Sequence, residues 1–394
     1  MRRRMARIRA VTFDLSLDDV RGRPGTKWAS IDGRLAAWVA DMDFPIAADI
    51  RDALVAATAD VGYPFWPGIG RSGLPERFAE RMVVRFGWRP DVDRLHELAD
   101  VMQGVVASIH HLTQPGDGIV VHTPAYPPFL GAIEGAGRQV VEVPAQRLGP
   151  GWAFDHDALE TRLAAEPARL LLLCHPHNPT GHVFTADELS RVAEIAARHD
   201  LVVISDEVHA ELVHPPHRHV PFASLAPEVE ARTVTVTSAS KAFNLAGLRW
   251  AILHAGCDEL QAALDALPRH YLGAPNLMAV AATEAAWVSG DAWQRAVGDQ
   301  LDANRQLLAT LLQKHLPDVD YAVPDATYLA WLDCRALDLG DDPAETFRRR
   351  GVELSPGPRF GTQGLGFARL NFATGPTVLT HIVETMALPP SASR

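Results

Sequence analysis

The sequence of 394 residues has little of what marks secreted, membrane or nucleic-acid-binding proteins. Its three cysteines lie far apart and form no CxxC pair, so no disulfide framework is expected and the thiols are predicted to be reduced and mostly buried. Apolar runs such as residues 170–174 are far too short to cross a bilayer. Acidic residues number 48 against 37 basic ones, a balance that argues against a general nucleic-acid surface.

The basic N-terminus, which begins MRRRMARIRA, has no apolar stretch after it and so does not resemble a secretory signal. We interpret it as a frayed start whose first residue is either Met1 or Met5. In the absence of export or membrane signals, a cytoplasmic location is expected by default.

The length of the chain favours two domains, because 394 residues exceed what one hydrophobic core usually covers. We expect an N-terminal segment over 1–45 that packs with the small domain. A large domain is expected over 46–285 and a small α+β domain over 286–394.

Short apolar runs alternate with helical patterns between residues 98 and 256. The runs are 118–124, 170–174, 201–205, 233–237 and 250–254. Between two of them, Thr185 and Glu188 form a capping box ahead of an amphipathic stretch. This alternation predicts an α/β fold with a mainly parallel sheet, and ligands bind such sheets beyond the carboxyl ends of the strands.

The segment from Ser238 to Arg249 carries the strongest chemical signal. Lys241 follows a buried strand closely, where burial and nearby positive charge would lower the pKa of its amine and favour imine formation. Ser238, Ser240 and Arg249 are candidate phosphate ligands. By itself the motif fits a surface turn equally well, because short motifs recur by chance.

Three further segments strengthen this interpretation when they are taken together and in order. Asp206 could pair with a protonated pyridine nitrogen, although a helix cap is a common alternative for such a residue. Asn178, in HPHNPTG, could donate to a phenolic oxygen, although a plain turn fits it as well. Gly104 and Val105 are expected to open a helix whose first N–H groups face a phosphate.

These segments resemble the fold-type I enzymes that use pyridoxal 5′-phosphate (PLP), the aspartate aminotransferase superfamily. More narrowly, the chain is similar to the MalY/PatB-like cystathionine β-lyase (C–S lyase) branch. The general match rests on Asn178, Asp206, Lys241, Gly247, Arg249 and Arg369. The narrower match rests on WVADMDF from Trp38, Gly62-Tyr63 with Trp66, TPAY from Thr123 with Phe129, SDEVH from Ser205, SASKAFNLAGL from Ser238, and ATYLAW from Ala326.

The resemblance implies a large PLP-binding domain with a mainly parallel seven-stranded sheet beside the smaller α+β domain. It also implies a homodimer with shared active sites, in which Tyr63 would reach the phosphate or the substrate of the neighbouring subunit. Tyr126 would stack on the cofactor ring and take part in catalysis with Lys241. His209 would stand near the phenolic oxygen, and Arg369 would bind the α-carboxylate of the substrate.

The expected site residues combine the motifs with the resemblance. For PLP they are Tyr63, Gly104, Val105, Tyr126, Asn178, Asp206, His209, Ser238, Ser240, Lys241 and Arg249. For the substrate they are Asp43, Tyr63, Trp66, Tyr328 and Arg369. Asp41 and Met42 are also placed near the substrate mouth. No metal site is expected, because His214, His217 and His219 lie in a Pro-rich stretch that we interpret as a solvated or interfacial turn.

The leading functional prediction is a C–S β-lyase for cystathionine, cysteine or a related S-substituted cysteine, with a thiol, pyruvate and ammonia as products. The alternative is a class I/II aminotransferase, since both reactions begin with removal of the substrate α-proton by Lys241. Arg249, eight residues after the lysine, is more typical of the aminotransferases. A non-catalytic sensor or partner-binding role is the least expected, although fold alone does not fix function.

Overall fold

The computed structural model describes residues 13–63, 72–268 and 271–389. Its strands, numbered along the chain, are β1 (Leu35–Ala36), β2 (Leu95–Leu98), β3 (Gly118–Thr123), β4 (Gln139–Leu148), β5 (Gly151–Phe154), β6 (Ala168–Cys174), β7 (Val202–Asp206), β8 (Thr233–Thr237), β9 (Ala251–Ala255), β10 (Asp320–Tyr321), β11 (Leu329–Asp333), β12 (Val352–Glu353), β13 (Ser355–Pro356) and β14 (Phe367–Asn371). Its helices are α1 (Leu17–Arg21), α2 (Thr26–Ala29), α3 (Ala48–Ala57), α4 (Leu74–Phe86), α5 (Val101–Leu112), α6 (Pro127–Gly135), α7 (His156–Ala165), α8 (Ala186–Arg198), α9 (Pro227–Glu230), α10 (Asp258–Asp265), α11 (Leu277–Ser289), α12 (Asp291–His315), α13 (Pro343–Arg349) and α14 (Pro376–Met386).

The large sheet has eight strands within the described ranges, in the order β2-β9-β8-β7-β6-β3-β4-β5. Strands β8, β7, β6, β3 and β4 are parallel neighbours, whereas β9 and β5 run against them. The mainly parallel sheet is therefore confirmed, and its seven strands from β2 to β4 are extended by one further strand. The end of β4 turns back and pairs with β5, which adds an eighth strand at the edge.

Helices cover both faces of the large sheet because its central strands are apolar throughout. One apolar cluster packs α5, α6 and α10 against one face, and a second packs α7 and α8 against the other. The predicted capping box of α8 is confirmed. The hydroxyl of Thr185 accepts the N–H of Glu188 at 3.2 Å, and the carboxylate of Glu188 accepts the N–H of Thr185 at 2.7 Å.

The C-terminal region builds a second sheet, of four antiparallel strands in the order β10-β11-β14-β13. Strand β1 pairs in parallel with β12, so the N-terminal segment lies against this region. Two long helices, α11 and α12, precede this sheet in the chain and are separated by Gly290. None of the helices in the described ranges has both the length and the apolar character needed to cross a membrane.

The tight turn after β9 provides a test of the fold. A Cβ on Gly256 would lie 2.0 Å from the carbonyl oxygen of Glu230 and 2.5 Å from that of Thr233, both of them backbone atoms. We expect Gly256→Ala to lower the free energy of unfolding by about 1–3 kcal/mol or more, because the backbone must move. Gly298 in α12 has nothing within 4 Å of such a Cβ. Gly298→Ala should instead raise stability by about 0.5–1 kcal/mol.

Urea unfolding followed by circular dichroism measures both variants against the unmodified chain. Equal midpoints for the two alanine variants would contradict the packing described at this turn.

Candidate active site

A cavity of about 360 Å³ lies at the carboxyl ends of β6, β7 and β8. Eight residues expected from the sequence line it together: Tyr126, Asn178, Asp206, His209, Ser238, Ser240, Lys241 and Arg249. The strands bring them together because parallel strands present their carboxyl ends at one edge of the sheet.

Lys241 lies in the loop after β8, which local hydrogen bonds hold in place. The N–H of Ser240 donates to Oγ of Ser238 at 3.0 Å, and that hydroxyl donates to the carbonyl of Trp250 at 2.5 Å. Nζ of Lys241 donates to the carbonyl of Ala40 at 2.8 Å. Burial lowers the pKa of the Lys241 amine to about 8. An unprotonated amine is therefore available near neutral pH.

Asp206 is the last residue of β7, and its carboxylate is buried in the cavity. Its Oδ1 accepts the N–H of Val208 at 3.1 Å. Burial raises the pKa of the carboxyl to about 7, although that hydrogen bond and the charge on Lys241 both lower it. Because this carboxylate is poorly solvated, a cationic partner in the cavity would stabilise its charged form.

A buried network secures the chain directly after Asp206. The carboxylate of Glu207 accepts the hydroxyl of Ser205 at 2.9 Å and the N–H of Phe222 at 3.0 Å. Its other oxygen lies 2.9 Å from Nε2 of His219. These contacts hold Glu207 away from the cavity, which Asp206 lines and Glu207 does not.

The histidines of the Pro-rich stretch are more buried than the sequence suggested. Nε2 of His214 lies 2.8 Å from the carbonyl of Thr327, and His219 contacts Glu207 as above. The solvated alternative is therefore wrong for both, because each has a buried polar partner, whereas His217 between them is exposed. Within the described residues, no group of three or more His, Cys, Asp or Glu side chains is arranged to hold a metal ion.

Arg369 lies on β14 of the second sheet and reaches the cavity region from the opposite side. Nη1 donates to Oδ1 of Asn178 at 3.0 Å. Nη2 donates to the carbonyl of Trp38 at 3.1 Å and to Oγ of Ser355 at 3.2 Å. Its Nε is buried without a hydrogen-bond partner in the described part of the chain. Burial lowers the pKa of the guanidinium to about 10, a value at which it remains charged at neutral pH.

Two ring side chains, those of His209 and Tyr126, line the cavity, and Tyr328 contacts one of its lining residues. The hydroxyl of Tyr328 donates to the carbonyl of Ala40 at 3.0 Å. His209 is buried, and burial lowers its pKa to about 3, so the ring is neutral at physiological pH. Tyr126 packs edge-on against Phe129, with ring centroids 5.3 Å apart. Burial raises the pKa of the Tyr126 phenol, which keeps it protonated.

The helix that faces the cavity begins earlier than expected. Helix α5 starts at Val101, with Asp100 as its N-cap, and Asp100, Val101 and Met102 line the cavity. Gly104 and Val105 are buried one turn further on and are not among the lining residues, so their expected position is wrong. Glycine is required at 104 for another reason, since a Cβ there would lie 2.9 Å from Cγ1 of Val236 in β8.

Asp100 was missed by the sequence reasoning. Its Oδ1 accepts the N–H of Gln103 at 2.8 Å, and its other oxygen pairs with Arg249. Arg249 has a positive φ of 59° and a largely exposed side chain at the cavity rim. The signal that could have found Asp100 is the D-x-x-Q spacing, a variant of the capping pattern at helix starts.

Two of the expected substrate residues, Tyr63 and Asp43, do not line the cavity. The side chain of Tyr63 is 92% exposed and does not line the cavity of its own chain. Asp43 is buried, with Oδ1 at 3.0 Å from Nζ of Lys27 and 2.7 Å from Nε1 of Trp28, so its expected position at the substrate mouth is wrong. The ion pair with Lys27, which lies sixteen residues earlier in the sequence, holds the carboxylate of Asp43 in the protein interior. Trp66 lies outside the described residues.

The chemistry of these groups fits PLP. The N–H groups at the start of α5, together with Ser240 and Arg249, offer donors and positive charge for a phosphate. Asp206 offers a desolvated carboxylate for a pyridine N–H. Lys241 offers an amine of lowered pKa for the aldehyde, and His209 has a buried ring nitrogen, Nδ1, without a partner within the described ranges.

The lowered pKa of Lys241 can be tested directly, because the chain has only three lysines, Lys27, Lys241 and Lys314. In cofactor-free protein we expect acetylation of Lys241 by acetic anhydride to rise through a midpoint near pH 8. Below that pH the amine is protonated and unreactive. Peptide mass spectrometry gives the extent at each pH, and the exposed Lys314 provides the comparison within the same sample.

Labelling of Lys241 that rises only towards the value of an ordinary lysine, about 10.4, would contradict the burial of its amine.

Comparison with known proteins shows the fold and the family. The sequence profile of the family aminotransferase class I and II matches residues 101–385. The cystathionine β-lyase PatB of Bacillus subtilis is 33% identical over 345 residues, which cover 86% of this chain and 87% of PatB. The protein MalY of Escherichia coli is 36% identical over 376 residues, which cover 91% of this chain and 94% of MalY.

Among solved structures, the PLP-bound C–S lyase of Staphylococcus hominis superposes with a TM-score of 0.88 at 27% identity, over 95% of this chain and 98% of that one. The resemblance found in the sequence and the expected fold type are confirmed. The chain is a PLP-dependent enzyme that belongs to the class I and II aminotransferase family.

Proposed function

We propose that this protein is a C–S β-lyase that cleaves cystathionine, cysteine or a related S-substituted cysteine by α,β-elimination. Water completes the reaction, so the products are a thiol, pyruvate and ammonia. The observation that carries the proposal is an amine of lowered pKa at Lys241 that shares one cavity with Asp206 and Asn178, while Arg369 donates to Asn178 from the second sheet. The names of PatB and of the S. hominis lyase support elimination over transamination.

Bound PLP supplies a conjugated ring that takes up the negative charge formed at the substrate α-carbon. Asp206 would pair with the ring nitrogen and hold a proton on it. The positive charge of the protonated nitrogen would in turn favour the ionised form of the Asp206 carboxyl. Nζ of Lys241 accepts the proton from the α-carbon as a general base. The resulting ammonium then has a proton to give to the leaving sulfur.

Arg369 orients the substrate through its α-carboxylate. The Nε–H, which has no partner in the described part of the chain, remains for a carboxylate oxygen. The bonds from Nη1 and Nη2 to Asn178 and Trp38 hold the guanidinium plane fixed. A guanidinium fixed in this way binds a carboxylate with less loss of side-chain freedom than a lysine would. In this proposal Tyr126 stacks on the cofactor ring, and Tyr328 contacts the substrate.

The proposal includes a homodimer in which Tyr63 completes the site of the neighbouring subunit. Val55 and Val61 are exposed near Tyr63, and such an apolar surface is typical of an interface. We also propose the division into 1–45, 46–285 and 286–394, which the two separate sheets and the pairing of β1 with β12 support. A cytoplasmic location belongs to the same proposal, and three buried free thiols fit it.

A product assay separates the lyase from an aminotransferase, the second function that this family supports. The holoenzyme is incubated with cystathionine or S-methylcysteine while keto acids are withheld, and pyruvate and free thiol are measured. We expect both products in equal amounts. If pyruvate formed only when a keto acid was added, the protein would be an aminotransferase.

The role of Asp206 predicts a second outcome. Asp206→Asn keeps the shape of the side chain and an oxygen for the N–H of Val208, but loses the negative charge. We expect kcat for elimination to fall about 100-fold or more, while the cofactor absorbance is retained. Asp187→Asn, at an exposed position of α8, is the control, because it removes one negative charge from the protein in the same way. Turnover of Asp206→Asn within about twofold of the unmodified enzyme would refute the role of Asp206.

A further inference from the structure

The hydroxyl of Tyr328 has no role in the steps described above, yet it meets the reactive amine at a single atom. This buried hydroxyl donates to the carbonyl of Ala40 at 3.0 Å, and Nζ of Lys241 donates to the same oxygen at 2.8 Å. A carbonyl oxygen has two lone pairs and can accept both donors. The phenol and the amine therefore share one acceptor.

The backbone just before Tyr328 is held in an unfavourable conformation. Thr327 is buried and has a positive φ of 73°, which is rare for a β-branched residue. Its N–H donates to the carbonyl of Leu212 at 2.8 Å, and its carbonyl lies 2.8 Å from Nε2 of His214. Such strain persists only where the surroundings impose it, and it is concentrated at functional sites. These contacts set the direction in which the side chain of Tyr328 leaves the backbone.

The carbonyl of Ala40 keeps its place without help from the phenol. Nδ2 of Asn371 donates to the carbonyls on both sides of it, that of Val39 at 2.6 Å and that of Asp41 at 2.7 Å. Removal of the phenol oxygen would leave these two contacts intact. The effect of the hydroxyl must therefore be sought in the strength of the bond between Ala40 and the amine.

Two donors at one oxygen weaken each other, because their hydrogens carry like partial charges and draw on the same electron density. A hydrogen bond from the ammonium favours the protonated form of Lys241. When the hydroxyl of Tyr328 takes part of the acceptor, the carbonyl of Ala40 stabilises that form less. The phenol remains a donor throughout the working range of pH, because burial raises its pKa above the ordinary value of a tyrosine.

Other charges also act on Lys241, and they come from several elements. Asp41 of the N-terminal segment and Asp206 of β7 favour the ammonium, whereas Arg369 of β14 disfavours it. The remaining ionisable side chains that line the cavity are uncharged near neutral pH or paired with each other: His209, Tyr126, Cys174, Asp100 and Arg249. Within the described ranges, Tyr328 alone shares the acceptor of the amine.

We propose that Tyr328 is a positioning residue that acts on the proton of Lys241 through the carbonyl of Ala40. Its hydroxyl competes for that carbonyl and so limits how strongly the carbonyl holds the amine in its protonated form. The inference rests on the role of Lys241 as general base in the proposed function and adds a residue to it.

The test is Tyr328→Phe, which removes the phenol oxygen and keeps the buried ring. In the cofactor-free chain we expect the midpoint for acetylation of Lys241 to rise by about 0.5–1 pH unit, because the ammonium gains a stronger hydrogen bond. Peptide mass spectrometry gives the extent of acetylation at each pH. Tyr321→Phe is the matched control, because the hydroxyl of Tyr321 is buried without a hydrogen-bond partner in the described part of the chain. It should keep the midpoint of the unmodified chain.

The holoenzyme provides a second measurement. With cystathionine as substrate and keto acids withheld, kcat for pyruvate release should fall at low pH as the freed amine becomes protonated. In Tyr328→Phe we expect this acid limb to move to higher pH by about the same 0.5–1 pH unit. In Tyr321→Phe the limb should stay in place.

An acetylation midpoint or an acid limb that stays unchanged in Tyr328→Phe, or that moves to lower pH, would overturn the role of Tyr328 and leave the lyase function standing. An equal rise in Tyr321→Phe would overturn it as well, since the effect would then not depend on the shared carbonyl. If the holoenzyme released no pyruvate without a keto acid, the lyase proposal would fall. The acetylation midpoints would still decide the role of Tyr328.

Discussion

The burial of two opposite charges at the end of one sheet is the constraint on which the site depends. Lys241 and Asp206 both lie where central strands end, and burial moves the pKa of each towards neutrality, to about 8 and about 7. No direct ion pair joins them within the described residues, and Nζ of Lys241 donates to a backbone carbonyl instead. The cavity thus holds an amine that is reactive near neutral pH and a carboxylate that favours a cationic partner.

The N-terminal segment connects the two sheets at this cavity through its backbone carbonyls. Those of Trp38 and Ala40 accept from Arg369 and Lys241, which come from different sheets. The side chain of Asn371 donates to two further carbonyls of the same segment, at 2.6 and 2.7 Å. Because one segment contacts the groups for the substrate carboxylate and for the α-proton, it fixes the distance between them.

The sequence predicted the parts of the site that local pattern determines. Asp206 and Lys241 follow apolar strands, and parallel strands bring such positions to one edge. The start of α5 was misplaced because apolar spacing marks the helix face more clearly than its first residue, and the capping pattern at Asp100 is the sharper signal. Asp43 was assigned to the substrate mouth because its partner Lys27 is distant in sequence and no local pattern reveals that pairing. Strand β5 was missed because four residues without alternation give no strand signal.

The central claim is that the amine of Lys241, and neither of the other two lysines, forms the bond to PLP. Holoenzyme reduced with borohydride and digested can be mapped by mass spectrometry for a pyridoxyl adduct. We expect one adduct per chain, on the peptide that contains Lys241. An adduct on Lys27 or Lys314, or none after reconstitution with PLP, would contradict it.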